Sequence, residues 1–297
     1  MSIRIEGIIP AMVTPFTKGG KQVDYEKAAG VAQHLAKKKV QGLFIAGTTG
    51  EGMLMSVAER KKLLETVIAA VGKHLKVIAH TGNFDTPSTI ELTEHAAQAG
   101  AAAAGVVVPG FYTLDDDAIT NHYKLVAASV KGFPILLYNI PGCAKNVLKP
   151  AVTIKLAKEV ENIIGMKDSG GSISALNEVL AGKPKDFAVI NGVDEYSMQA
   201  YAAGAQGSVS STANVVPEIF LEIYGAAQKG DWKKAWASQI KLSNACKLYH
   251  YGARVAFYKE GLRLKGVDSG FVRPPQRELS AAEAKAFAKG VKDAGLV

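Results

Sequence analysis

A chain of 297 residues that is 48% hydrophobic and 21% charged can bury a large core, which excludes the disordered and fibrous classes. Its formal charge of +8, from 35 basic and 27 acidic residues, is dispersed; the densest groups, "AKKKV" and "DWKKAW", read as solvated helix faces, so the charge suits small anions and no nucleic-acid partner is expected. Two cysteines outside any CxxC pattern, with six histidines that form no HExxH pair, exclude a disulfide framework and leave no metal centre to expect.

The first stretch, "MSIRIEGIIPAMVTPF", lacks the basic segment, apolar stretch and cleavage site of a secretory signal. The longest apolar stretch, "AAAAGVVVPGF", is too short and alanine-rich to cross a bilayer. A cytoplasmic protein with no membrane partner is the expectation. From there the chain alternates short apolar runs with longer amphipathic segments: "GIIPAMV", "GLFIAG", "KVIAHTG", "GVVVP", "PILLYNIP", "IIGMKDS", "FAVINGV" and "QGSVSS". Helical spacing follows each run, as in Ala58, Leu63, Leu64, Val67 and Val71 after the second, or Ile90, Leu92, Ala96 and Ala97 after the third. Ser56 with Glu59 makes a capping-box pattern, and Pro87 after Thr86 marks another helix start.

Eight such units over about 225 residues predict an α/β fold, the (β/α)8 TIM barrel, over residues 1–228. Residues 229–297 carry only helical patterns and predict a C-terminal helical extension packed on the barrel. A doubly wound open sheet is the alternative, weakened because no GxGxxG turn follows the first strand.

Barrel chemistry sits at the C-terminal ends of the strands. Those ends carry Thr14, Thr48 and Thr49 of "GTTGE", His80 and Asn83, "PGFY", Tyr138 and Asn139, Lys167, Asn191 and Gly192, and Ser210 and Ser211, a set of hydroxyls and amides suited to a small oxygen-rich ligand. Lys167 closes the apolar run "ENIIGMK" and admits two readings. Its head reaches water or pairs with Asp168, or it is a desolvated amine able to condense with a ketone or aldehyde. Tyr138, at the matching place on the preceding strand, favours the second reading, because a Schiff base forms and breaks only with proton transfers that a nearby phenol can carry. "GTTGE" offers turn amides and two hydroxyls to a carboxylate, or is an ordinary strand-to-helix turn. His80 either hydrogen-bonds a substrate or is a satisfied interior histidine, and the interior reading is preferred.

In this order on these strands, "IIPAMVTPF", "GTTGE", "YNIP", "GMKDSGG" and "VRPPQREL" resemble the dihydrodipicolinate synthase and N-acetylneuraminate lyase family of pyruvate-dependent aldolases, over nearly the whole chain. The resemblance implies a homotetramer built as a dimer of dimers, no cofactor, and as partners a 2-oxo acid such as pyruvate and an aldehyde. It implies that Lys167 forms the Schiff base, that Tyr138 shuttles protons with Thr48 as its relay, and that Thr49 helps hold the carboxylate. Gly192 and Val209 match positions lining the pyruvate pocket.

Two departures bear on the substrate. The synthases of the lysine precursor carry, after strand four, a tyrosine that reaches the neighbouring subunit's site; an ungapped count puts Phe111 there, with Tyr112 one residue later. A phenyl ring cannot relay a proton. Their carboxylate-binding arginine after "YNIP" is matched by Cys143, with Lys145 nearby. "GMKDSGG" instead looks like the lyases of 4-hydroxy-2-oxoglutarate or of sugar-derived 2-oxo-3-deoxy acids. A lyase or aldolase of that kind is the expectation. The alternatives are dihydrodipicolinate synthase proper, an imine-based dehydratase of a sugar-derived 2-oxo acid, and a non-catalytic small-acid-binding regulator.

Overall fold

The eight apolar runs become strands because both their faces are covered, by the barrel interior and by helices. The computed structural model describes residues 3–72, 75–249 and 254–296. Its strands are β1 (Gly7–Pro10), β2 (Gly42–Ile45), β3 (Lys76–His80), β4 (Ala103–Val107), β5 (Ile135–Asn139), β6 (Ile163–Asp168), β7 (Ala188–Asn191) and β8 (Gly207–Ser210). They run parallel in the order β1-β8-β7-β6-β5-β4-β3-β2. The ring closes between β1 and β2 through an Ala11–Phe44 bridge, where the Met12 N–H donates to the Phe44 carbonyl at 2.9 Å. The fold is the expected (β/α)8 TIM barrel with helices at its C-terminal end.

The helices are α1 (Tyr25–Lys37), α2 (Val57–Val71), α3 (Thr86–Gln98), α4 (Asp116–Ser129), α5 (Pro141–Ala144), α6 (Pro150–Glu159), α7 (Ile173–Gly182), α8 (Ser197–Ala203), α9 (Pro217–Gln228), α10 (Trp232–Tyr249), α11 (Arg254–Leu264) and α12 (Ala281–Asp293). Short polar side chains satisfy free amides at the starts of α1, α2, α3, α4, α7 and α12, while α5, α6 and α9 begin with a proline that has no amide hydrogen to satisfy. Ser56 and Glu59 form the capping box of α2, and Asp115 caps α4. At α3 the cap is Asp85, whose carboxylate accepts from the Ser88 N–H, and Thr86 is already helical.

Leu242 and Tyr249 of α10, Tyr258 and Leu262 of α11, and Phe287 and Val291 of α12 are buried in the same core as the strands. Beyond α11, Phe271 bridges back to Phe16, exchanging backbone hydrogen bonds of 2.9 and 3.1 Å. That bridge brings the end of the chain against the loop that leaves β1.

Candidate active site

Parallel register fixes the central pair. Lys167 on β6 is the Cα partner of Tyr138 on β5, and Asp168 the partner of Asn139. Because side chains alternate along a strand, Lys167 and Asp168 take opposite faces. Asp168 accepts from Asn139 Nδ2 at 2.8 Å and from the Gly170 N–H at 3.0 Å. Burial pushes its carboxyl pKa up, and those two donors oppose the rise. The reading in which Asp168 pairs with Lys167 is thereby excluded.

Lys167 is 4% exposed, and no carboxylate pairs with it among the described residues. Its Nζ stands over two ring faces, 3.9 Å from the Tyr138 centroid and 4.5 Å from that of Phe44. Phe44 has space there because two neighbours lack side chains: a Cβ at Gly105 or Gly47 would approach its ring to 2.4 or 2.7 Å. Sequence reading missed Phe44 as part of the site, since an aromatic in a strand reads as core.

The Tyr138 hydroxyl lies 3.3 Å from Thr48 Oγ1, and Thr49 Oγ1 lies 2.5 Å from Ser211 Oγ. Both threonines ride on a turn bounded by Ala46 and Glu51, each a non-glycine residue with φ of 54°. Inside the turn the Glu51 N–H donates to the Thr48 carbonyl and the Gly52 N–H to that of Gly47, and Thr14 Oγ1 donates to the Gly50 carbonyl at 2.7 Å. A 3-10 turn, Gly52–Leu54, follows, and α2 starts only at Val57. The turn is therefore not a helix head, and its Glu51 and Gly52 amides are spent internally; the threonine hydroxyls and the earlier amides are what it can present to a carboxylate.

A cavity of about 450 Å³ opens above Lys167, lined by Thr48, Thr49, Tyr138, Gly192, Val209, Cys143 and Ser211 among others. A Cβ at Gly192 would meet Ser169 Oγ at 2.0 Å, so only glycine fits that wall. Asp194, Glu195, Arg254 and Tyr258 also line it. Asp194 and Glu195 follow β7 in a short 3-10 turn, and Arg254 and Tyr258 went unread because α11 carries no local sign of facing the barrel mouth. Burial pushes the Asp194 carboxyl up to about 6, against hydrogen bonds from the Thr212 and Ser210 side chains.

Phe111 and Tyr112 lie outside that cavity. They are 73% and 72% exposed and stack edge to face on each other at 5.1 Å. Lys145 is exposed in another cleft. His80 is buried between the Phe44 and Tyr138 rings, its Nδ1 3.0 Å from the Ala46 carbonyl. Burial, then the charges of Arg60 and Lys167, hold its pKa well below the usual imidazole value, so it is neutral.

A dihydrodipicolinate synthetase family model matches residues 4–294. The chain is 32% identical over 297 residues to the 4-hydroxy-tetrahydrodipicolinate synthase of Methanopyrus kandleri, covering all of this chain and 99% of that one. It is 37% identical over 278 residues to an uncharacterised DapA-like lyase of Pyrococcus horikoshii, covering 91% of this chain and 94% of the other. Among solved structures it is similar to YagE, a prophage protein from Escherichia coli K12 solved in complex with pyruvate, with a TM-score of 0.94, 30% identity, and coverage of 98% and 99%.

Proposed function

The chain belongs to the dihydrodipicolinate synthetase family, class I carbon-carbon lyases and aldolases, and from that premise we propose a Schiff-base lyase that releases pyruvate and an aldehyde from a 4-hydroxy-2-oxo or 2-oxo-3-deoxy acid, or joins them in reverse. The observation that carries this reading is the buried Lys167, without an anionic partner among the described residues and with Nζ 3.9 Å from the ring of its register partner Tyr138. The YagE complex with pyruvate supports the donor.

The Lys167 amine adds to the C2 ketone, and the carbinolamine loses water to give a protonated imine. The C4 hydroxyl then gives up its proton as the C3–C4 bond breaks. The bond's electron pair moves into the imine, and the aldehyde departs. The remaining enamine takes a proton at C3, and water hydrolyses the imine to pyruvate and free Lys167. Tyr138 carries these protons with Thr48 at 3.3 Å as its relay, while Thr49 and Ser211 hold the substrate carboxylate. The imine itself is the electron sink, so this chemistry calls for no metal or organic cofactor.

A second reading, the synthase that condenses pyruvate with aspartate semialdehyde, is favoured by the 32% identity to the Methanopyrus kandleri synthase, although Cys143 stands at the arginine's place. A panel decides between them: kcat/KM for cleavage of 4-hydroxy-2-oxoglutarate and 2-oxo-3-deoxy acids against condensation with aspartate semialdehyde. The lyase reading predicts that a hydroxylated 2-oxo acid ranks first; aspartate semialdehyde leading by tenfold or more (about 1.4 kcal/mol) overturns it.

In this reading residues 1–228 form the barrel and 229–297 the helical segment packed on it, in a cytoplasmic protein. Among the described residues no helix is long and apolar enough to cross a membrane. The assembly is a homotetramer, a dimer of dimers, and the exposed Phe111 and Tyr112 support it, since two stacked aromatics left in solvent suit burial against a second copy.

A further inference from the structure

Glu51 ends the turn that carries Thr48 and Thr49, and it does so in the left-handed region, at φ 54° and ψ 32°. Residues with a Cβ persist there only where their surroundings hold them. The holding groups come from the far end of the chain. Glu51 Oε1 accepts from Lys259 Nζ at 2.7 Å, and Oε2 accepts from the Arg273 N–H at 2.8 Å. The side chains of Lys259 and Glu51 are 0% and 1% exposed. Lys259 also donates to the Phe271 carbonyl at 2.6 Å and stands 5.0 Å from the Phe16 ring. Beside it, the Arg273 guanidinium donates to the Leu54 carbonyl at 3.0 Å and grips Glu59 with two bonds of 2.7 and 2.8 Å.

A buried ion pair is a poor source of stability. Burial drives the Glu51 carboxyl up and the Lys259 ammonium down, against their mutual attraction. Apolar side chains of similar volume commonly stabilise a fold as well or better. What such a pair does supply is a fixed geometry between two parts of the chain that are 208 residues apart in sequence.

We infer that Glu51 and Lys259 are a positioning pair for the active site, holding the Thr48–Thr49 turn at the spacing from Tyr138 that proton transfer requires and tying turnover to the C-terminal helices. The inference rests on the imine reading above, since the turn matters only if Tyr138 and Thr48 move protons for a substrate on Lys167.

The test compares wild type, the double variant Glu51→Met/Lys259→Met and the conservative Lys259→Arg by three readouts. These are thermal midpoint, borohydride trapping of pyruvate on Lys167, and the rate at which pyruvate C3 exchanges hydrogen for solvent deuterium. The double variant leaves no buried charge unpaired, so it should melt within a few degrees of wild type and still be trapped, with exchange about 10- to 100-fold slower, the scale of a misplacement near 1 Å. Lys259→Arg keeps the charge and should stay within about threefold of wild type. Wild-type exchange in the double variant overturns the inference. So does a joint fall of all three readouts, which marks a merely structural pair. A wild-type protein that is neither trapped nor exchanges pyruvate overturns the underlying imine reading instead.

Discussion

Replacing Asp194 by asparagine isolates the pH dependence that one buried carboxyl gives the fold. Asp194 is 9% exposed on the cavity wall, and burial raises its pKa from 3.8 to about 6, with the Glu195 carboxylate adding to the rise. Cys246 Sγ, 4.0 Å from Oδ2, and the Tyr258 phenol face it from α10 and α11. The folded carboxyl holds its proton more tightly than the unfolded one. Its contribution to stability is therefore complete only below the unfolded value of 3.8 and is lost as the pH rises through about 6. A rise of roughly 2 units at about 1.4 kcal/mol each is worth about 3 kcal/mol. Asparagine does not titrate, so the stability gap between wild type and Asp194→Asn should shift by about 2.4 kcal/mol, in favour of the variant, from pH 4 to pH 7. At about 2 °C per kcal/mol for a chain of this size, the difference in Tm moves by about 5 °C. Thermal melts of both proteins from pH 4 to pH 8, at one scan rate and ionic strength, measure it. A difference that stays flat, or moves toward wild type as the pH rises, refutes the reasoning.

Tyr138→Phe keeps the ring beneath Lys167 and removes the hydroxyl 3.3 Å from Thr48; kcat should fall by about 100- to 10,000-fold with an unchanged circular dichroism spectrum, and a loss under about threefold would remove Tyr138 from the relay. Gly52→Ala places a Cβ 1.7 Å from the Ala46 carbonyl oxygen; strain in the turn should cost about 1–3 kcal/mol, read as a lower Tm, together with weaker pyruvate binding. Cys143→Arg adds a guanidinium to the cavity wall; it should raise kcat/KM for aspartate semialdehyde about tenfold relative to a 4-hydroxy-2-oxo acid, and an unchanged ratio means that position 143 does not face the acceptor.

The barrel is legible in the sequence because parallel strands covered on both faces leave short apolar runs at regular spacing, and each run becomes a strand. The edges of the runs are less legible. β4 begins at Ala103, among alanines that carry little strand preference, because the barrel interior there is crowded by Phe44 and admits only small side chains such as Gly105. Lys167 and Tyr138 stand out because a charge and a phenol at the same end of adjacent strands need only the register to meet, and the register pairs them. Contacts made across the whole chain leave no such trace. Arg254 and Tyr258 reach the cavity from a helix whose own pattern shows only amphipathicity, and Lys259 finds Glu51 from 208 residues away. Phe111 was readable as a departure from a known pattern, but the outward direction of the loop that bears it follows from its backbone, with φ of 72°, and not from its neighbours in sequence.

The central claim is that Lys167 forms an imine with a 2-oxo acid. Incubation with pyruvate and borohydride, followed by peptide mass spectrometry, tests it most directly. A reduced pyruvyl adduct on Lys167, absent from Lys167→Arg, is the predicted result. No adduct under conditions that label a known family member, or an adduct confined to other lysines, contradicts it.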